Sequence, residues 1–113
     1  MKLKSAADLE QSLVYFDKAI ASDPSSAAAF NGRAGALKTM GRRDEAIADW
    51  EKAAELDHNF ALPVYNLAVA YLEKGDKARA LGFCQKYLEI KGRRITEQER
   101  RDIEEIARQC RER

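Results

Sequence analysis

Apolar residues recur at helical spacing from near the start of the chain. Four of them lie at i, i+4, i+7 and i+11 and therefore share one helical face: Leu9, Leu13, Phe16 and Ile20. This pattern predicts an amphipathic helix over residues 1–22. The helix must end at or before Asp23, because Pro24 disfavours helical geometry in the residue that precedes it.

The next two segments predict a pair of helices joined by a turn. Residues 27–40 are rich in alanine, with a core stripe of Phe30, Ala34 and Leu37. Residues 43–56 carry a second stripe: Ala46, Ile47, Trp50, Ala53 and Ala54. Gly41 favours the left-handed helix end between them. Gly32 and Gly35 each cost a helix about 1 kcal/mol relative to alanine, so they predict either close approach of another helix or a bare face.

The following segments repeat this pattern and add one helix. Residues 61–74 and 77–90 form the second predicted pair, with Gly75 at the turn. Thr96 and Glu99 then form a capping box that starts a last helix, ending near residue 111. Its narrow apolar stripe comprises Ile103, Ile106, Ala107 and Cys110. Charge covers the opposite face, as is typical of a helix that caps a stack.

The apolar pattern has a period of 34 residues. The same offset separates Gly41 from Gly75, Ala34 from Ala68, Ala46 from Ala80, and Phe16 from Trp50. A fixed period of this length predicts stacked copies of one helix pair, none of which buries its apolar face alone.

Composition and charge narrow the range of partners. The 113 residues are 45% hydrophobic and 35% charged, with a net charge of +1, so no bulk field attracts nucleic acid or anionic lipid. Basic residues near residue 95 alternate with acids, which indicates a solvated helix face. No apolar run approaches the roughly 18–20 residues of a membrane span, and residues 1–4 do not begin a signal peptide. We therefore expect neither a nucleic-acid partner nor a membrane partner, and a cytoplasmic location.

The sequence offers no catalytic constellation. His58, the single histidine, lies in a predicted loop without an associated nucleophile. Cys84 and Cys110 lack metal-binding spacing, and reduced, partly buried thiols are the favoured interpretation. A bridge between them stays open, because their helices are expected to be neighbours. We expect no enzymatic activity, no metal and no cofactor.

The repeats resemble the tetratricopeptide repeat, a 34-residue helix–turn–helix motif. The first full copy reads Phe30, Arg33, Ala34, Leu37, Gly41, Ala46, Trp50 and Ala53. The second reads Val64, Leu67, Ala68, Tyr71, Gly75, Ala80 and Cys84. The first helix matches the second half of a copy, ending in Asp23-Pro24. The resemblance covers residues 1–91, and four positions depart from the pattern: Arg33, Cys84, Tyr87 and Gly92.

The resemblance implies an all-α fold of antiparallel helix pairs, stacked as a right-handed superhelical solenoid of about five helices. One domain, residues 1–113, would comprise a partial repeat (1–24), repeats at 27–58 and 61–92, and a capping helix (96–111). Because the partial repeat lacks its first helix, we expect either the interior of a longer array or a lone capping helix. Its unpaired apolar face would suit a homodimer.

The resemblance also implies that the first helix of each repeat faces a concave, peptide-binding groove. The residues placed there are Asn31, Gly35 and Lys38, followed by Leu62, Tyr65, Asn66, Val69 and Leu72. Such a groove would be polar and bare at one end and apolar at the other, which suits a peptide or partner helix with an apolar anchor. An adaptor or scaffold is the favoured interpretation, and a self-assembly segment of a longer repeat protein is the alternative. The apolar stripe could equally be covered by the C-terminal helix or a neighbouring molecule.

One known binding mode of the family is not expected. Some members clamp a C-terminal carboxylate with lysine and asparagine on one first helix, asparagine on the next, and lysine and arginine on a third. Only Asn66 matches this set, and Asn31 and Gly35 stand where the first lysine and asparagine belong. We therefore predict no clamp of that kind.

Overall fold

The computed structural model describes residues 5–112 and is helical throughout its regular parts. Within that range there are six α-helices and a short 3-10 turn, and no strand: α1 Ala6–Ser22, α2 Ala27–Thr39, α3 Arg43–Leu56, α4 Ala61–Glu73, α5 Lys77–Lys91, the turn Gly92–Arg94, and α6 Glu97–Arg111. Each predicted segment is a helix, so the all-α prediction is confirmed. The first four residues of the first predicted helix lie outside the described residues.

Side-chain caps fix where four of the helices begin, namely α1, α2, α5 and α6. Ser5 Oγ accepts a hydrogen bond from the backbone N–H of Asp8, and the carboxylate of Asp8 accepts one from the backbone N–H of Ser5. At α6, Thr96 Oγ1 accepts from Glu99 N at 3.0 Å, and Thr96 N donates to Glu99 Oε1 at 2.9 Å. The capping box predicted at α6 is therefore confirmed. Ser26 caps α2 through the N–H of Ala29.

The two interhelical turns are built alike. Gly41 and Gly75 both have φ near +82°, in the left-handed region that glycine adopts without a steric penalty. Beyond each glycine, a backbone N–H reaches back to a carbonyl of the preceding helix: Arg42 to Leu37 and Asp76 to Tyr71, both at 2.9 Å. This is the Schellman arrangement, and its recurrence 34 residues later confirms the repeat at the level of the backbone.

The chain divides into two compact units, Met1–Asp57 and His58–Arg113. In the first, α2 packs against both α1 and α3, and its buried residues include Ala34, Leu37, Ala46, Ile47 and Trp50. In the second, α5 packs against α4, and α6 packs against both, burying Val64, Leu67, Tyr71, Cys84 and Ile103. The single-domain interpretation and the repeat boundaries stay predictions.

The two glycines inside α2 have different surroundings. A Cβ on Gly32 would lie 2.3 Å from Cε1 of Phe16, so this glycine lets α1 approach α2 closely. A Cβ on Gly35 would meet no atom within 4 Å. Of the two expected explanations, close helix approach therefore applies to Gly32 and a bare face applies to Gly35.

No helix within residues 5–112 has both the length and the apolarity that crossing a lipid bilayer demands.

Candidate functional site

The residues predicted to face a groove lie on one helix of each unit. α2 carries Asn31, Gly35 and Lys38, of which Gly35 and Lys38 are exposed. α4 carries the other five. Leu62 is 52% exposed, and the rest are partly buried: Tyr65, Asn66, Val69 and Leu72. That the two sets form one groove stays a prediction.

The α2 face is polar and lacks large side chains. Oδ1 of Asn31 is buried and has no hydrogen-bond partner among residues 5–112. Gly35 leaves the helix surface bare, and Lys38 adds one exposed ammonium group. This face therefore offers a ligand the ammonium group of Lys38 and little apolar area.

The α4 face borders a cavity. Tyr65 lies against Tyr87 of α5, with ring centroids 5.6 Å apart and ring planes inclined by 58°. Beside these rings is a volume of about 280 Å³, which we call the tyrosine notch. It is lined by Ala61, Leu62, Tyr65, Tyr87, Lys91, Glu99 and Asp102. The notch thus combines an exposed aliphatic side chain, an aromatic wall and a charged rim.

Hydrogen bonds fix the charged rim of the notch. Lys91 Nζ lies 2.8 Å from Glu99 Oε2, and the other oxygen of Glu99 accepts the capping bond from Thr96 N. The bond from Lys91, followed by that from Thr96, lowers the pKa of Glu99 to about 2. Burial raises the pKa of Tyr87, and the charge of Glu99 and a hydrogen bond to it raise it further. The pKa of Tyr65 is raised by burial and then by the charge of Asp102. Both phenols are therefore neutral at neutral pH.

The C-terminal helix covers part of the α4 face. α6 packs against α4 and supplies Glu99 and Asp102 to the notch beside the partly buried ring of Tyr65. Leu62 nevertheless keeps 52% of its surface exposed. A large apolar side chain therefore stays open at the start of α4 although α6 is in place.

A second cavity adjoins the first across Leu62. It measures about 350 Å³ and is lined by Asn59, Phe60, Ala61, Leu62, Ile90, Lys91 and Arg94. Ala61, Leu62 and Lys91 line both cavities. The surface on the Arg94 side of Leu62 is basic, whereas Glu99 and Asp102 lie on the other side.

The first unit contains an ion-pair network that sequence reasoning missed. Arg33 donates to Asp49 through Nε at 2.8 Å and Nη2 at 2.9 Å, and to Asp17 through Nη1 at 3.0 Å. Asp49 is only 6% exposed. The two acids raise the pKa of Arg33, Asp49 most strongly. One sequence feature could have revealed the network: an arginine at a core position of the repeat, with an aspartate 16 residues away on either side.

α1 carries the other large exposed apolar side chains among residues 5–112. Val14 is 53% exposed and Tyr15 is 68% exposed. Val14 lines a shallow hollow of about 390 Å³ together with Ala7, Glu10 and Gln11. This is the helix on which a homodimer contact was expected.

The candidate reactive side chains are His58 and the two cysteines. Within residues 5–112, no group of three or more His, Cys, Asp or Glu side chains is placed to hold a metal ion. His58 is exposed. Cys84 and Cys110 are free and buried. Burial, followed by the neighbouring Cys110, raises the pKa of Cys84 to about 11, so this thiol is protonated at neutral pH.

Comparisons with known proteins agree with the helix-pair architecture. Two family models match, one described as TPR repeat at residues 36–75 and one as tetratricopeptide repeat at residues 64–93. A curated relative, the Hsp70-Hsp90 organizing protein of Triticum aestivum, is 34% identical over 86 residues. The match covers 76% of this chain but only 15% of that protein's length.

Solved structures of similar fold cover most of the chain. The TPR2B domain of yeast Sti1 in complex with pHsp70 has a TM-score of 0.82 at 25% identity, covering 92% of this chain and 83% of that one. The Yersinia enterocolitica secretion chaperone SycD, in complex with a peptide of the translocator YopD, has a TM-score of 0.84 at 19% identity, covering 93% and 81%. The Sgt2 TPR domain of Aspergillus fumigatus has a TM-score of 0.77 at 20% identity, covering 90% and 68%. The two family models, which together span residues 36–93, identify the chain as a member of the tetratricopeptide-repeat family.

Proposed function

We propose that the chain is a non-catalytic adaptor or scaffold module that binds a peptide or partner segment. The observation that carries the proposal is the exposed side chain of Leu62 between two cavities, one of them walled by Tyr65. An exposed aliphatic group beside an aromatic pocket is a typical anchor point for a partner's apolar side chain. The similar structure of Sti1 is a complex with pHsp70 and that of SycD is a complex with a peptide of YopD, which supports the same kind of role here.

The α4 face would supply the apolar anchor. Leu62, Tyr65, Val69 and Leu72 form the proposed apolar contact surface on α4. Asn66, partly buried on the same helix, would contact the peptide backbone. Recognition then depends on shape and hydrogen bonding, without a chemical step.

The experiment compares two variants that place a charge on equally exposed apolar residues. Peptides of 12 residues are selected from a random phage library on the wild-type chain, and their affinities are measured by fluorescence anisotropy. Leu62→Glu is expected to weaken binding at least about tenfold, which corresponds to about 1.4 kcal/mol. Val14→Glu is the matched control, since Val14 is 53% exposed and Leu62 is 52% exposed. Equal affinity of Leu62→Glu and wild type would contradict the proposed surface.

Self-assembly through α1 is the second candidate function. The exposure of Val14 and Tyr15 favours it, because adjacent apolar side chains on an outer helix often mark an interface. Light scattering across a hundredfold range of concentration distinguishes the two candidates. A constant monomer mass supports the adaptor, whereas a wild-type dimer that Val14→Glu abolishes supports assembly.

A further inference from the structure

The charges at the tyrosine notch do not balance. Lys91 and Glu99 neutralise each other at 2.8 Å, but Asp102 has no ion-pair partner among residues 5–112. The only hydrogen bond to its side chain in that range comes from Gln98 Nε2, at 2.8 Å. Asp102 is exposed at the rim of the notch. The notch therefore presents one uncompensated negative charge to solvent.

The sequence of α6 explains why Asp102 is unpaired. Residues three and four positions away on a helix are its surface neighbours, and for Asp102 these are Gln98, Glu99, Glu105 and Ile106. None of them is a cation. Other acids of α6 do have such partners: Glu97 pairs with Arg101, and Glu105 pairs with Arg108.

The wall beside Asp102 is apolar and aromatic. The exposed side chain of Leu62 and the ring of Tyr65 line the same cavity, and the Tyr65 ring contacts that of Tyr87. An aliphatic stem packs well on such a wall, and a cation near the ring is attracted to its face. An anion at the same place would meet Asp102 and Glu99 instead.

We propose that the tyrosine notch binds the lysine or arginine side chain of a partner peptide. Its aliphatic stem lies on Leu62 and Tyr65, and its charged end pairs with Asp102. This inference rests on the proposed peptide-binding function and adds a preference of charge to it. The preference is local, since Arg94 makes the opposite side of Leu62 basic. A bound peptide would therefore place its cation on the α6 side of Leu62.

The test compares two neutralising variants with the same change in net charge. Asp102→Asn removes the unpaired carboxylate but keeps an oxygen that can accept from Gln98. Glu104→Gln is the control, because Glu104 is exposed on the same helix but does not line the notch. The probes are the lysine-containing 12-residue peptides selected on wild type, and copies in which norleucine replaces each lysine in turn. Circular dichroism of each variant checks that the helices are intact.

The expected result has four parts. Peptides selected on wild type are enriched in lysine and arginine. Asp102→Asn weakens the affinity for a lysine peptide about three- to tenfold, as expected for a partly exposed charge pair. Glu104→Gln changes that affinity less than about twofold. The matching norleucine peptide binds wild type and Asp102→Asn equally. Added salt reduces the difference between the two variants.

Three outcomes would overturn the inference. In the first, the selected peptides are not enriched in lysine or arginine. In the second, Asp102→Asn and Glu104→Gln change the affinity for a lysine peptide equally. In the third, Asp102→Asn weakens the lysine and norleucine peptides equally. If Leu62→Glu still weakens binding in those cases, the peptide-binding function stands and only the charge preference fails. If Leu62→Glu has no effect on the norleucine copies, which lack the lysine that a new carboxylate would attract, the proposed function itself fails.

Discussion

Arg33 occupies a core position of the repeat because two carboxylates hold it there. Asp49 receives two of its N–H groups and Asp17 receives a third, so the guanidinium connects residues of α1 and α3 to α2. Removing charged groups from water is costly, so a buried ion pair adds little to the free energy of unfolding. We infer that its main effect is to favour one packing arrangement of the helices over others. The network therefore selects how α1 and α3 pack on α2.

Removing the arginine alone should destabilise the first unit. Arg33→Leu leaves Asp49, 6% exposed, without its guanidinium partner. We expect a loss of about 3 kcal/mol in the free energy of unfolding, at the lower end for buried pairs because the Arg33 side chain is 26% exposed. The double variant Arg33→Leu/Asp49→Leu should recover most of that loss in urea unfolding. If the double variant is no more stable than Arg33→Leu, an unpaired Asp49 is not the cause.

The contribution of Glu99 to stability should depend on pH. Its folded-state pKa is about 2, below the ordinary value of 4.5, so its ionised form favours the folded state. That contribution is complete above the ordinary pKa and is lost as pH falls from about 5 to about 2. Glu99→Gln retains the capping acceptor but not the charge. We expect its Tm to lie below that of wild type at neutral pH and to converge with it in acid.

Glu104→Gln controls for the pH experiment, since Glu104 is exposed on the same helix. A difference in Tm between wild type and Glu99→Gln that persists unchanged at acid pH would show that the pair with Lys91 does not act through charge.

At the scale of the helix, the two glycines of α2 predict opposite effects of one substitution. Gly35→Ala should raise the free energy of unfolding by about 1 kcal/mol, because alanine favours the helix and its Cβ meets open space. Gly32→Ala places a Cβ 2.3 Å from the Phe16 ring, and overpacking typically costs about 1–3 kcal/mol. Gly32→Ala should therefore be the less stable variant by about that amount in urea unfolding.

A third variant isolates the cause of that difference. In a Phe16→Leu background the ring is absent, so Gly32→Ala should cost much less than in wild type. An equal cost in both backgrounds would locate the effect of Gly32 somewhere other than the contact between α1 and α2.

The helices and turns follow from local rules, whereas the contacts of the notch do not. The spacing of apolar residues predicts the six helical segments. Gly41 and Gly75 predict the turns, because left-handed backbone favours glycine. The repeat register also identified Leu62 and Tyr65 as candidates. The sequence does not place the charged lining residues beside Leu62 and Tyr65; these are Lys91, Glu99 and Asp102. The 3-10 turn Gly92–Arg94 sets the position of α6, and no periodic pattern encodes that turn.

At the scale of the whole molecule, likeness to a chaperone organizer does not imply its partners. The chain spans about 15% of the length of that relative. Of the carboxylate clamp, only Asn66 is present, and it is partly buried. We expect an acidic peptide with a free C-terminal carboxylate to bind no more tightly than its C-terminal amide, by isothermal titration calorimetry. A tenfold preference for the free acid would contradict this prediction, and its survival in Asn66→Ala would show that residues other than Asn66 bind the carboxylate.

The position of a bound peptide decides whether α4 is the binding surface. The backbone amide signals of the ¹⁵N-labelled chain are followed by NMR while a selected 12-residue peptide is added. If the peptide binds on α4, the shifts centre on Leu62, Tyr65 and Val69 and extend to the start of α6. Shifts centred on Val14 and Tyr15 of α1, with α4 unchanged, would contradict binding on α4.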